Sequence, residues 1–164
     1  MCGHNQMLAT IFCVLQISFP FAKLGYGSES ISGIVQVKHH AKEDFLRIPE
    51  LFTGKEYSGK YIILRSSEFR NGLYFYLPFT ADYLSNIGGS KIELALIDSS
   101  LPKARVFNFS IPDNFSGQKK VLLGLTGKDW DDNKIRLVAW KIEVLGLEKE
   151  SLHINQSSLW SHKK

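Results

Sequence analysis

Short segments in which apolar and polar residues alternate with a period of two, the pattern of a half-buried β-strand, dominate this chain. The clearest is 73–79, where leucines and phenylalanines at the odd positions alternate with Tyr74 and Tyr76. Further strands are predicted at 34–37, 61–64, 92–96, 107–111, 121–125 and 138–144, with 151–156 as a last edge strand. No long segment has the 3.6-residue period of an amphipathic helix.

Turn residues separate these segments at intervals of roughly 12–18 residues, which is typical of all-β domains rather than of βαβ units. The sequence therefore predicts an all-β fold, an antiparallel β-sandwich of about seven to nine short strands. Immunoglobulin-like and jelly-roll-like arrangements both fit, although the Cys–Trp–Cys framework of antibody domains is absent. Short helices are predicted only at 41–45 and 80–86, the second with Thr80 as its N-cap.

An apolar stretch at 7–19, followed by small residues at Gly25 and Gly27, has the form of an export signal. We predict that residues 1–27 are a signal peptide that is cleaved, and that residues 28–164 form a single β-sandwich domain without a stable membrane span. Both cysteines, Cys2 and Cys13, lie in the leader. The mature protein would therefore reach a secreted or periplasmic location with no disulfide, thiol nucleophile or thiolate metal ligand.

The positive charge of the chain is dispersed along the sequence. The chain has 20 Lys and Arg residues against 16 Asp and Glu residues, a formal net charge of +4 at pH 7. A nucleic-acid-binding protein concentrates its cations on one face or stripe, and no such cluster is visible here. We therefore expect no nucleic-acid partner.

The most acidic segment lies between two predicted strands, at 127–133. Its side chains Asp129, Asp131, Asp132 and Asn133 offer several oxygen ligands of the kind that calcium prefers. The spacing is not that of the helix-flanked calcium loop, however, and lysines border the segment on both sides. The alternative is a polar turn in which these side chains bond their own backbone.

A second polar group follows the first predicted strand, where His39 and His40 precede Glu43 and Asp44. Imidazoles and carboxylates at this separation can be metal ligands or an acid–base pair. Adjacent strand residues point to opposite faces, so the two histidines make poor co-ligands and a plain loop is the alternative. No nucleophile elbow or phosphate-binding glycine loop occurs in the sequence, and we assign no catalytic residue.

Aromatic residues are the best functional indication. If the odd positions of 73–79 face the core, Tyr74 and Tyr76 lie side by side on the other face and can form a platform that stacks on sugars or anchors a partner. Trp130, in the acidic segment, could extend this platform. The alternative is that outer-face tyrosines are simply good strand formers under a covering loop.

These observations favour an exported, non-enzymatic protein that binds a protein partner or a cell-surface glycan through exposed aromatics and loops. One alternative is a metal-dependent or hydrolytic enzyme on the same scaffold. The other is a structural subunit of an envelope assembly. Fold class alone does not choose among them.

Overall fold

The computed structural model describes residues 33–113, 120–131 and 133–161. β-strands are the main secondary structure of these residues, as the alternating pattern predicts. The predicted signal peptide, residues 1–27, lies outside the described residues. No described helix is long and apolar enough to cross a membrane.

Eight strands in the described part of the chain form two four-stranded sheets. The strands are β1 (Gln36–His40), β2 (Tyr61–Arg65), β3 (Gly72–Tyr76), β4 (Lys91–Asp98), β5 (Leu101–Ser110), β6 (Lys120–Thr126), β7 (Leu137–Leu145) and β8 (Ser151–Gln156). Sheet I has the order β1-β3-β6-β2, and sheet II has the order β5-β4-β7-β8. The strand at 151–156 is at the edge of its sheet, as predicted.

All strand pairs are antiparallel except β2 and β6, which run parallel with Tyr61 opposite Lys120. The prediction of a purely antiparallel fold is therefore wrong at this pair. Parallel neighbours need a long crossover connection, and here the chain passes through β3, β4 and β5 before it returns beside β2. Alternation within a strand carries no information on the direction of its neighbour.

The inner faces of both sheets contribute to one buried apolar cluster, the main core. In β3, Leu73 and Phe75 face this core, which confirms the predicted phase of the strand. Trp140 of β7 packs edge-on against Phe75 with the ring centroids 5.9 Å apart, so the pair joins the two sheets. Apolar area removed from water in this way is the dominant favourable term in folding.

The outer face of sheet I carries a second, smaller apolar cluster formed by Phe45, Tyr74 and Leu122. Tyr74 is fully buried there, so its predicted exposure is wrong. Its ring lies against Gly124, the opposite residue on β6, where an added Cβ would come within 2.5 Å of the ring. Its hydroxyl donates a hydrogen bond to the carbonyl oxygen of Arg70 at 2.6 Å.

Residues 41–60, which we call the covering segment, bury Tyr74. They form a 3₁₀ turn at Lys42–Phe45 and a short helix, α1 (Ile48–Thr53). The sequence predicts the turn but not the helix. Its two signals are Pro49 in the first turn and Gly54 in the left-handed conformation at the C-terminal end, with φ of 65°.

Two further helices complete the described structure. Helix α2 (Ala81–Ser85) begins where the sequence predicts, because the Thr80 side chain accepts a hydrogen bond from the backbone N–H of Tyr83 at 3.3 Å. Helix α3 (Ser158–Ser161) follows β8. Beside α2 the rings of Tyr83 and His153 lie 6.3 Å apart, and the Tyr83 hydroxyl and His153 Nε2 are buried without a hydrogen-bond partner in the described residues.

Replacing Tyr74 by alanine should lower the free energy of unfolding by about 3–5 kcal/mol, the usual cost of removing a fully buried aromatic ring. Urea denaturation measures this change, and Tyr57→Ala, at an exposed tyrosine of the covering segment, is the matched control. A loss below about 1 kcal/mol for Tyr74→Ala would show that the ring is not packed as described.

Acidification should destabilise the protein through His153, because burial lowers the pKa of this imidazole below its ordinary value. The unfolded state then binds more protons than the folded state as the pH falls through about 6.5, so stability decreases towards low pH. Urea denaturation at pH values above and below this point should show a smaller loss in His153→Leu than in the wild type. An equal loss in both proteins would contradict the assignment, and His39→Gln, at an exposed histidine, is the control.

Candidate ligand-binding cleft

Of the three aromatic residues predicted to form a binding surface, only Tyr76 reaches the surface. Tyr74 lies beneath the covering segment, and Trp130 is only 4% exposed and belongs to the main core. The predicted exposure of Trp130 is therefore also wrong. After the 3₁₀ turn at Gly127–Asp129 the chain bends back, with the Trp130 N–H bonded to the Gly127 carbonyl, and the indole enters the core.

The acidic segment forms a polar turn in the part that the structure describes. Asp131 Oδ1 accepts a hydrogen bond from the backbone N–H of Asn133 at 3.1 Å, and Asp131 Oδ2 lies 3.2 Å from Lys134 Nζ. Asp129 is also placed, but Asp132 lies outside the described residues. No group of three acidic, histidine or cysteine side chains suited to a metal occurs within 33–113, 120–131 and 133–161. Calcium binding by this segment stays a prediction.

Tyr76 lines a cleft of about 380 Å³ on the outer face of sheet I, which we call the Tyr76 cleft. Each strand of the sheet places at least one polar residue in it: Lys38 on β1, Tyr76 on β3, Lys120 on β6 and Tyr61 on β2. The rings of Tyr61 and Tyr76 meet edge to face, with centroids 6.0 Å apart and an interplanar angle of 87°. Gln36 adds an amide. The cleft thus presents two tyrosine rings with polar groups around them.

The charge in the Tyr76 cleft is positive. Lys38 Nζ lies 5.6 Å from the centroid of the Tyr76 ring, and Lys60 Nζ lies 5.7 Å from that of Tyr61. Among the described lining residues there is no carboxylate. The ion pairs found in the described residues do not include Lys38 or Lys120. These cations therefore remain available for an anionic ligand.

A chain of hydrogen bonds holds the hydroxyl group of Tyr76. The Tyr76 hydroxyl lies 2.7 Å from His40 Nε2, and His40 Nδ1 lies 3.0 Å from Asp44 Oδ2. We assign the hydroxyl as donor to Nε2 and the Nδ1–H as donor to Asp44, which is the pattern that satisfies all three groups with a neutral imidazole. His40 and Asp44 come from the polar group that the sequence analysis identified, and Tyr76 is the member that it did not connect to them.

The ionisation of these groups suits binding better than catalysis. Burial is the main cause that raises the pKa of Tyr76, and the nearby Tyr61 and Asp44 raise it further. Its phenol therefore stays protonated at neutral pH. A nucleophile or general base needs the opposite shift. The hydrogen bond from His40 also lowers the pKa of Asp44 and keeps its carboxylate ionised. The chain therefore orients the Tyr76 ring and leaves its hydroxyl as a neutral polar group.

A larger cleft of about 680 Å³ lies between α2 and the turn that joins β7 to β8. Its lining includes Tyr83 and His153, whose unpartnered polar atoms would suit a ligand. Both atoms are sealed from solvent, however, and a molecule in the cleft would not reach them. The Tyr76 cleft is smaller, but its polar groups are presented by all four strands of a rigid sheet.

Sequence reasoning missed Tyr61, Lys38 and Lys120. Tyr61 and Lys120 are opposite each other only because β2 and β6 pair in parallel, and they lie 59 residues apart in the sequence. Lys38 reaches the site through the pairing of β1 with β3. No local pattern identifies residues that strand order alone brings together.

No protein-family model matches this chain, and no curated protein or solved structure is significantly similar to it. A functional proposal for this protein therefore depends on its fold and on the geometry of the candidate site.

Removing the imidazole should raise the pKa of Asp44 towards its ordinary value, because the hydrogen bond from His40 is the largest cause of the lowered pKa. An NMR titration of the side-chain carboxyl groups in the wild type and in His40→Leu measures this. Asp131, whose pKa is lowered chiefly by Lys134, is the internal control and should titrate identically in both proteins. An unchanged pKa of Asp44 would show that the hydrogen-bond chain does not form.

Proposed function

We propose that this protein is an exported, non-enzymatic binding protein whose Tyr76 cleft holds an acidic glycan of a cell surface. The observation that carries the proposal is the composition of the cleft, which combines two tyrosine rings and two lysines with no carboxylate among its described lining residues. Its volume of about 380 Å³ falls in the lower part of the range of small-ligand sites.

Each chemical group in the cleft matches a part of such a ligand. Aromatic faces stack on the apolar C–H faces of sugar rings, and here Tyr61 and Tyr76 provide them. The Gln36 amide can exchange hydrogen bonds with sugar hydroxyls, and the Tyr76 hydroxyl, whose proton is bonded to His40, can accept one. The ammonium groups of Lys38 and Lys120 fit a carboxylate or a sulfate, as in uronic acids and sulfated sugars.

The raised pKa of Tyr76 supports binding over a hydrolytic role, since a protonated phenol is a poor nucleophile. Export to a secreted or periplasmic location is part of the proposal and agrees with the apolar leader in the sequence. We also propose that the two sheets form a β-sandwich of the immunoglobulin-like or jelly-roll-like type. The shared main core supports a two-layer arrangement, whereas the parallel β2–β6 pair departs from the purely antiparallel form of both types.

The purified protein should bind sulfated or uronic-acid oligosaccharides and should not bind neutral ones of equal length. Isothermal titration with a heparin tetrasaccharide, a galacturonic acid tetramer and maltotetraose measures this preference. Lys38→Ala and Lys120→Ala should each weaken acidic-sugar binding about twofold to fivefold, the effect of losing one exposed ion pair of about 0.5–1 kcal/mol. Tyr61→Ala should weaken binding through lost stacking.

Lys103→Ala is the matched control, since this exposed lysine lies on β5 in the other sheet and should bind like the wild type. Thermal denaturation of each variant verifies that the fold is retained. Equal affinity for acidic and neutral sugars, or no loss in the lysine variants, would contradict the proposed role of the Tyr76 cleft.

A further inference from the structure

Helix α1 presents its apolar side chains to solvent. Ile48, Leu51 and Phe52 are 73%, 77% and 84% exposed. With about 100° per residue, positions i, i+3 and i+4 form one continuous stripe along the helix. A surface helix normally turns such a stripe towards the core, and a monomeric soluble protein rarely leaves it uncovered.

The orientation of α1 is determined by its opposite face. Glu50 lies on the side of the helix away from the apolar stripe, and its carboxylate binds Arg70 Nη1 at 2.7 Å. The same carboxylate accepts the backbone N–H of Tyr57 at 3.1 Å. The Glu50 and Arg70 side chains are only 9% and 18% exposed, so the ion pair anchors the polar side of the helix on the protein. The stripe of Ile48, Leu51 and Phe52 therefore faces outward.

Cations surround this exposed stripe. Arg47 precedes the helix, and its guanidinium donates to the carbonyl oxygens of Asp44 and Leu46 and forms no ion pair within the described residues. Lys42 and Lys55 are exposed on either side of α1 and form no ion pair within the described residues.

Two of the four carboxylates of the covering segment, Glu50 and Glu56, form ion pairs with arginines, whereas Asp44 is bonded to an imidazole and its side chain is 51% exposed. Asp44 binds His40, Glu50 binds Arg70, and Glu56 binds Arg65. Glu43 is exposed and is the one acidic residue of the segment without such a partner in the described residues. The surface around α1 is therefore apolar at its centre. At its margin the three cations without an ion pair in the described residues, Lys42, Arg47 and Lys55, outnumber Glu43 and Asp44, the two exposed acidic side chains that do not pair with an arginine there.

We propose that α1 docks the protein on an anionic lipid membrane, with Ile48, Leu51 and Phe52 inserted at the boundary between headgroups and acyl chains. A helix with large apolar side chains on one face and lysine or arginine at its margins is typical of interfacial anchors. The cations at both ends of the helix can contact lipid phosphates while the stripe inserts. This inference is independent of the Tyr76 cleft, which the membrane contact does not use.

Co-sedimentation of the full-length protein with vesicles tests the inference. Vesicles of phosphatidylcholine alone are compared with vesicles that also contain phosphatidylserine. The wild type should partition at least about tenfold more strongly onto the anionic vesicles, because several lysine and arginine residues contribute to the attraction. The double variant Leu51→Ser, Phe52→Ser should lose at least about tenfold of this partitioning, as expected when two large apolar side chains no longer insert.

The matched control is Leu101→Ser, Val106→Ser, which removes two similarly exposed apolar residues from β5 of sheet II. It should bind vesicles like the wild type. Every variant carries the same N-terminal apolar stretch. Its contribution to the free energy of partitioning is the same in each, so it cancels in the ratio of two partition coefficients. Lys42→Ala combined with Lys55→Ala should reduce the preference for phosphatidylserine.

Two results would overturn the inference. One is equal vesicle binding by the wild type and by Leu51→Ser, Phe52→Ser. The other is an absence of vesicle binding together with a concentration-dependent dimer in light scattering that the same double variant abolishes. In that case the stripe would be an interface between two copies of this chain. Unchanged thermal denaturation of the double variant verifies that its fold is intact.

Discussion

The ion pair between Glu50 and Arg70 is the interaction on which the outer surface of sheet I depends. It holds the covering segment over β3, and a second pair, Glu56 with Arg65, attaches the end of the segment to β2. Removing one partner of a largely buried pair leaves an uncompensated charge, which costs far more than the intact pair contributes to stability. The position of the segment is therefore strongly specified. One property follows directly from it: α1 is held by its polar side, so its apolar stripe faces outward.

The two faces of sheet I have different roles, packing on the inner side and the candidate ligand site on the outer side. The inner face packs into the main core, where Phe75 and Trp140 connect the sheets. The outer face is only partly apolar, and its pairing positions alternate between packing residues such as Leu122 and polar residues such as Tyr76 and Lys120. A sheet that is already held in place by its inner face can present polar groups on its outer face with little loss of stability. This arrangement gives a ligand site rigid support.

Much of the secondary structure was predictable, since a predicted strand overlaps every strand in the described chain and the phase of β3 is correct. The bounds are less accurate: β1 extends to His40, beyond the predicted end at residue 37, and β5 begins at Leu101, six residues before its predicted start. The predictions that were wrong depend on long-range contacts. The local pattern places Tyr74 on the outer face of a strand and Trp130 in an acidic segment, and both positions predict exposure. The covering segment buries Tyr74, and a bend of the chain turns Trp130 into the main core. Helix α1 is six residues long, too short for its apolar residues to show a period, and its proline and glycine are weak signals. Part of the candidate site was predictable. The alternation in β3 indicated Tyr76, and the polar group that contains His40 and Asp44 was recognisable because residues four positions apart meet in a turn.

The sequence by itself determined which residues can lie together on one side of a strand. Backbone geometry sends alternate side chains to opposite faces, so Tyr74 and Tyr76 must share a face whatever the rest of the chain does. Only the tertiary structure decided what that face meets. The parallel pairing of β2 with β6 places Tyr61 and Lys120, which are 59 residues apart in the sequence, beside Tyr76. The covering segment packs Phe45 on Tyr74, with the ring centroids 4.7 Å apart, so Tyr74 is buried while Tyr76 is partly exposed. Strand order and burial follow from the total free energy of the packed chain, and no local pattern contains that quantity.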